Sequence, residues 1–141
     1  MAVYMVLLIF VLALAFVSWR ALTMLRLLNR GKRRRHGAGG YVYAFSDRPR
    51  WFWLPSTTVK IGRATDPKER MRPHRTAAPF GLRIWWVMQV SNDRAAEAAL
   101  HDYYIDIRVR SDGEWFHMTP MLLIDTLVMR WVLCGRSNIA T

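Results

Sequence analysis

Apolar side chains run without a charge from Met1 to Trp19, and after that they alternate with polar ones in short segments. A bilayer core about 30 Å thick needs roughly 20 apolar residues at a helical rise of about 1.5 Å each. The first run is near that lower limit. Ala21 to Leu28 prolongs it once Arg20 and Arg26 snorkel towards headgroups, and Trp19 takes an interfacial position. A cleavable signal peptide fits less well, because no basic segment precedes the run and no small-residue cleavage site precedes the arginines. The pattern predicts one N-terminal transmembrane helix.

Beyond Gly40 the pattern is that of a compact domain. Tyr41 to Phe45 and Thr57 to Ile61 are short runs rich in β-branched and aromatic residues and predict strands, with a long loop carrying Trp51, Phe52 and Trp53 between them. Asp66-Pro67-Lys68-Glu69 is a helix start, and Pro73 should end or kink that helix after little more than a turn. Leu82 to Val90 predicts the longest strand, with Trp85 and Trp86 on opposite faces, at least one buried and the other able to stack on a base. Asn92 or Asp93 caps an Ala-rich helix reaching about Ile105. Glu114 to Met118 suits a short edge strand, and Thr119-Pro120 opens a last helix to Leu133, too short to span a bilayer. The fold class expected is α+β: a small antiparallel three-stranded sheet flanked by helices, behind one transmembrane helix. The organisation expected is an anchor and juxtamembrane helix over 1–29, a basic Gly-rich linker over 30–40, a domain over 41–134 and a tail over 135–141.

Charge divides the chain further. Seven basic residues and no acidic ones lie between Arg20 and Arg35, while all ten acidic residues follow position 40 against fourteen basic ones. A basic collar therefore follows the apolar run, and the positive-inside bias places the N-terminus outside and the domain in the cytoplasm. Membrane lipid is the expected partner of Met1 to Trp19 and of the Arg20 to Arg35 collar. Cys134 is the only cysteine, so no intrachain disulfide forms, and His36, His74, His101 and His117 are too scattered for a zinc site. No small-molecule cofactor motif is visible, and the sequence names no oligomeric state.

The order of residue types after Gly40 resembles the GIY-YIG nuclease superfamily. Gly40-Tyr41-Val42-Tyr43 resembles the first half of its signature, and Lys60-Ile61-Gly62 resembles the second half with lysine in place of tyrosine. Pro67-Lys68-Glu69-Arg70 and His74 look like the helix that carries the catalytic arginine and a histidine. Ala96-Glu97-Ala98-Ala99-Leu100-His101 is similar to the helix bearing a metal-binding glutamate. Arg108 and Gly113-Glu114-Trp115-Phe116 resemble the ending of the phage and meiotic-gene DNA-binding branch.

The resemblance implies DNA as partner and phosphodiester cleavage with Mg²⁺. It makes Tyr43 a base or relay, Arg70 the phosphate clamp, His74 a proton shuttle and Glu97 the Mg²⁺ ligand. Lys60, Arg63, Arg70, Arg72 and Arg75 are the nucleic-acid contacts it suggests. Two other readings stay open. One is a tethered DNA-binding module without catalysis, since Lys60 removes a phenol. The other is a protein-interaction module using the Trp51-Phe52-Trp53 loop. Each residue also has an ordinary role: Tyr43 as core, Glu97 as a solvated helix former, Arg70 as a surface charge, His101 as a core or capping histidine.

Overall fold

The computed structural model describes residues 1–29, 39–47, 57–78 and 80–134. Most of the expected linker, the Trp51-Phe52-Trp53 loop and the tail lie outside the described residues. Helix α1 (Ala2–Leu28) is followed by strands β1 (Gly40–Asp47) and β2 (Thr58–Ala64), helix α2 (Pro67–Ala77) and strand β3 (Leu82–Val90). Helix α3 (Asp93–Tyr103), a 3-10 turn (Ile105–Ile107), strand β4 (Trp115–His117) and helix α4 (Pro120–Cys134) complete the order. The sheet is antiparallel in the order β3-β1-β2-β4, one strand larger than the expected three. The addition is the edge strand β4, which sets Trp115 opposite Lys60 and Phe116 opposite Val59.

Local chemistry explains most boundaries. Asp66 caps α2 by accepting the backbone N–H groups of Lys68 at 2.8 Å and Glu69 at 3.3 Å, with Pro67 in the first turn. Asn92, rather than Asp93, caps α3 through the N–H of Ala95 at 3.0 Å. Replacing Asp66 by alanine is expected to remove about 1 kcal/mol of stability, measurable as a lower denaturant midpoint. The expectation that Pro73 ends α2 is overturned, because the helix continues to Ala77. Pro73 sits on the solvent side of the helix, where the carbonyl it leaves unbonded meets water, while Met71 and His74 pack inward.

Both faces of the sheet are covered. Val42, Ala44, Val59, Ile61, Trp86 and Phe116 form a core with Ala96, Leu100 and Tyr104 of α3 and Leu122 and Met129 of α4. Tyr43, Phe45 and Met71 of α2 make a smaller cluster on the other face. Contrary to the expected alternation, Trp85 and Trp86 are both buried, so neither is free to stack on a base. The register between β1 and β3 shifts at Ala44/Phe45, which pairs Ala44 with Trp86 and Phe45 with Ile84. Trp85 is the extra residue of that bulge, and both indoles turn to the same core. Trp85 Nε1 donates to Ser46 Oγ at 3.1 Å.

Helix α1 changes character along its 27 residues. From Val3 to Leu14 its large apolar side chains are more than half exposed, and the helix is long and apolar enough to cross a membrane. Past Trp19 it becomes part of the domain: Met24 and Leu28 enter the main core, and the helix rests on α3 and α4. Arg20 corrects the snorkelling expectation. It is 3% exposed, and its guanidinium is clamped on the Asp125 carboxylate, Nε donating to Oδ1 at 2.7 Å and Nη2 to Oδ2. Arg20 Nη1 also donates to the Tyr103 hydroxyl at 2.5 Å, and the Tyr104 hydroxyl donates to Asp125 Oδ2 at 2.5 Å. A charge facing a buried carboxylate is held by the protein, not by headgroups.

Candidate functional site

The site begins with a missing side chain. Tyr43 on β1 pairs with Gly62 on β2, and the phenol lies across the glycine. A Cβ on Gly62 would stand 2.8 Å from the phenol oxygen and 3.1 Å from Cζ. Tyr43 is 1% exposed, stacked on Phe45 with ring centroids 5.5 Å apart. The ring is core, and the hydroxyl is its polar end, lying over Gly62. Arg70, exposed on α2, acts on that hydroxyl by hydrogen bonding and by charge.

Beside the phenol is a second set of groups. Lys60 Nζ lies 2.9 Å from Glu114 Oε2 and donates to His74 Nε2 at 3.3 Å. An ammonium has no lone pair, so His74 accepts through Nε2 and carries its proton on Nδ1. His74 packs against Phe45 and Trp115, and Trp115 also faces the Lys60 ammonium at 5.9 Å. Lys60, expected as a nucleic-acid contact, is 8% exposed and already engaged. Its place is the floor of the site.

Glu97 lies on α3, which packs on the other face of the sheet. Arg63 at the end of β2 donates from Nε to Glu97 Oε2 at 2.9 Å and from Nη1 to Asp93 Oδ2 at 3.2 Å. Arg63 is thus tied to two carboxylates of this chain. Arg72 sits 3.7 Å from Glu69 on the exposed side of α2, and Arg75 is exposed there too. His101 donates from Nε2 to the Ile61 carbonyl at 2.9 Å and packs at a tilt against Phe116, which makes it a brace between α3 and β2.

The electrostatics bind these groups into one neighbourhood. Burial pushes the Tyr43 phenol up, Arg70 pulls it back, and the charges of Glu114 and Glu97 push it up again. The phenol therefore keeps its proton at neutral pH. Burial, then the charges of Lys60 and Arg70, hold His74 below the usual histidine range. Burial pushes Glu114 up, but hydrogen bonding and charge from Lys60, with Arg70 and His101, hold it below the usual carboxylate range. Tyr43, Lys60, Arg70, His74 and Glu114 come together, and Glu97 is near enough for its charge to reach the phenol.

Sequence reasoning assigned no role to Glu114. Its signal was available in the Gly113-Glu114-Trp115-Phe116 run; in the structure its carbonyl accepts the Ile61 N–H at 3.0 Å, next to Gly62. Among the described residues no group of three or more His, Cys, Asp or Glu side chains stands ready to hold a metal.

The profile of the T5orf172 domain matches residues 40–132, from the first residue of β1 into α4. The chain belongs to the T5orf172 domain family. The T5orf172 domain is a phage-associated domain of nuclease-like, DNA-binding type. No curated protein and no solved structure matches the chain. The T5orf172 match holds every residue of the site, and it leaves α1 outside although α1 packs on its helices.

Proposed function

We propose that this protein is a membrane-tethered T5orf172 domain that grips DNA phosphates through Arg70 and handles a phosphodiester beside Tyr43. The observation that carries the reading is the Tyr43 hydroxyl within the hydrogen-bonding and charge influence of Arg70, with exposed Lys68, Arg72 and Arg75 along the same helix. A planar guanidinium suits a phosphate, and neighbouring cations supply sequence-independent attraction. The apolar length of α1 supports a single span, with the basic collar and the domain on the cytoplasmic side.

Cleavage is the finer part of the proposal. The protonated phenol donates a hydrogen bond to the phosphate or relays a proton from the attacking water. Neutral His74 is a second proton carrier through Nδ1. Mg²⁺ needs only one or two carboxylates because it keeps waters and takes substrate oxygens. Glu97 fits that role as a hard oxygen ligand contacted by Arg63 through a single oxygen, Oε2. When bound, the metal neutralises charge on the phosphate. One observation favours binding without cleavage: Lys60, where the resemblance places a second phenol, is buried against Glu114.

The test uses the full chain in detergent micelles. Arg70→Ala should weaken binding to a DNA duplex by about tenfold or more and lower the salt slope by about one. Binding and slope equal to wild type would remove Arg70 from the interface. Plasmid nicking with Mg²⁺, lost in Glu97→Gln, supports the enzyme. Wild-type protein that binds but never nicks leaves the module.

A further inference from the structure

Glu114 has no assigned role, yet it directly precedes β4 and its carboxylate reaches the buried Lys60 ammonium. In the antiparallel register Lys60 faces Trp115, so Glu114 lies alongside Ile61, whose N–H its own carbonyl accepts. Gly62 is the next residue of β2, and Tyr43 pairs with it from the other side. A Cβ at Gly62 would meet the Tyr43 phenol, so the glycine lets that ring lie across β2 one residue from the Ile61–Glu114 pairing. Glu114 Oε2 holds Lys60 Nζ at 2.9 Å, and the same ammonium reaches His74 Nε2 at 3.3 Å.

We propose that Glu114 is a positioning residue of this site, the carboxylate that pairs with the buried Lys60 ammonium beside His74. The inference rests on the reading that the Tyr43 face handles phosphate. Without Glu114, Lys60 would be a buried cation beside a histidine with no counter-charge, which is costly. With it, the ammonium has an anion on one side and an imidazole lone pair on the other. The trio holds His74 in the tautomer that points Nδ1–H away from Lys60.

The groups facing His74 are Lys60 on β2, Arg70 on α2, Asp47 at the end of β1, and Glu114. Asp47 and Glu114 raise its pKa while burial and the two cations lower it. Removing the Glu114 charge must therefore move the histidine further down, and the phenol down as well.

The decisive measurement is an NMR pH titration of the His74 ring in the full chain in micelles, with no DNA present. Glu114→Gln should shift the His74 midpoint downward, Lys60→Met should shift it upward, and Glu114→Asp should restore most of the wild-type value. A His74 midpoint in Glu114→Gln equal to wild type overturns the proposal. Should Glu114→Gln misfold, a Lys60→Met midpoint at or below wild type overturns it equally. Because the titration needs no substrate, a shift together with unchanged DNA binding by Arg70→Ala would retire the phosphate reading and leave Glu114 standing.

Discussion

Asp125→Ala is expected to destabilise the full chain by about 3–5 kcal/mol, because it leaves the Arg20 guanidinium buried without its counter-charge. The two side chains are 3% and 2% exposed, so water cannot take the place of the carboxylate. The Tyr104 hydroxyl loses its acceptor at the same moment, and burial together with the Asp125 charge already pushes that phenol far above its ordinary value. Thermal unfolding in micelles, followed by circular dichroism, should show a fall of about 10 °C or more for a domain of this size. The companion variant Arg20→Met with Asp125→Leu should recover most of the loss, since a buried pair replaced by apolar groups of similar volume is often neutral. A single variant that unfolds like wild type would mean the pair is not buried in solution. The same argument says that a fragment beginning after α1 is not the native domain, because it lacks Met24 and Leu28 and leaves Asp125 unpaired.

Gly62→Ala is the second substitution with a large expected effect, about 1–3 kcal/mol from overpacking together with loss of the Arg70-dependent DNA contact. The new methyl would stand 2.8 Å from the Tyr43 oxygen, 3.1 Å from Cζ and 3.3 Å from Cε2. The ring has no room to retreat, with Phe45 stacked on it and Met71, Ile84 and Val87 in the same cluster. Removing the phenol oxygen relieves the closest of these contacts. Gly62→Ala should therefore cost less in a Tyr43→Phe background than in wild type, a coupling that a double-mutant cycle measures directly. Additive effects in that cycle would show that the phenol does not lie over Gly62.

The residues that carry the site were legible as types and not as partners. The order Tyr43, Lys60, Gly62, Arg70, His74, Glu97 was visible from motif spacing, and the structure gathers four groups round the phenol, one of them Glu114, to which the motif gave no role. The expected direct roles of Lys60 and Arg63 in DNA contact depended on their charges being free. Lys60 is held by Glu114 and His74, and Arg63 by Glu97 and Asp93. Charge is a property of the residue, but its availability depends on what faces it. The tryptophan pair teaches the same lesson: alternation put Trp85 and Trp86 on opposite faces, and one bulge put both inside.

By itself the sequence determined what depends on neighbours a few positions away: the apolar helix at the start, the Asp66 cap, a cap at Asn92 or Asp93, the strand runs, and an edge strand near Trp115. Capping, helical periodicity and β-branching act over one or two turns of chain, so they can be read in order. Only the tertiary structure decided that α1 belongs to the core as much as to a membrane. The contact responsible joins Arg20 to Asp125 across 105 positions, and nothing local distinguishes an arginine bound for a headgroup from one bound for a buried carboxylate. That choice is made through space, where desolvating a charge is offset only by the opposite charge that the fold brings to it.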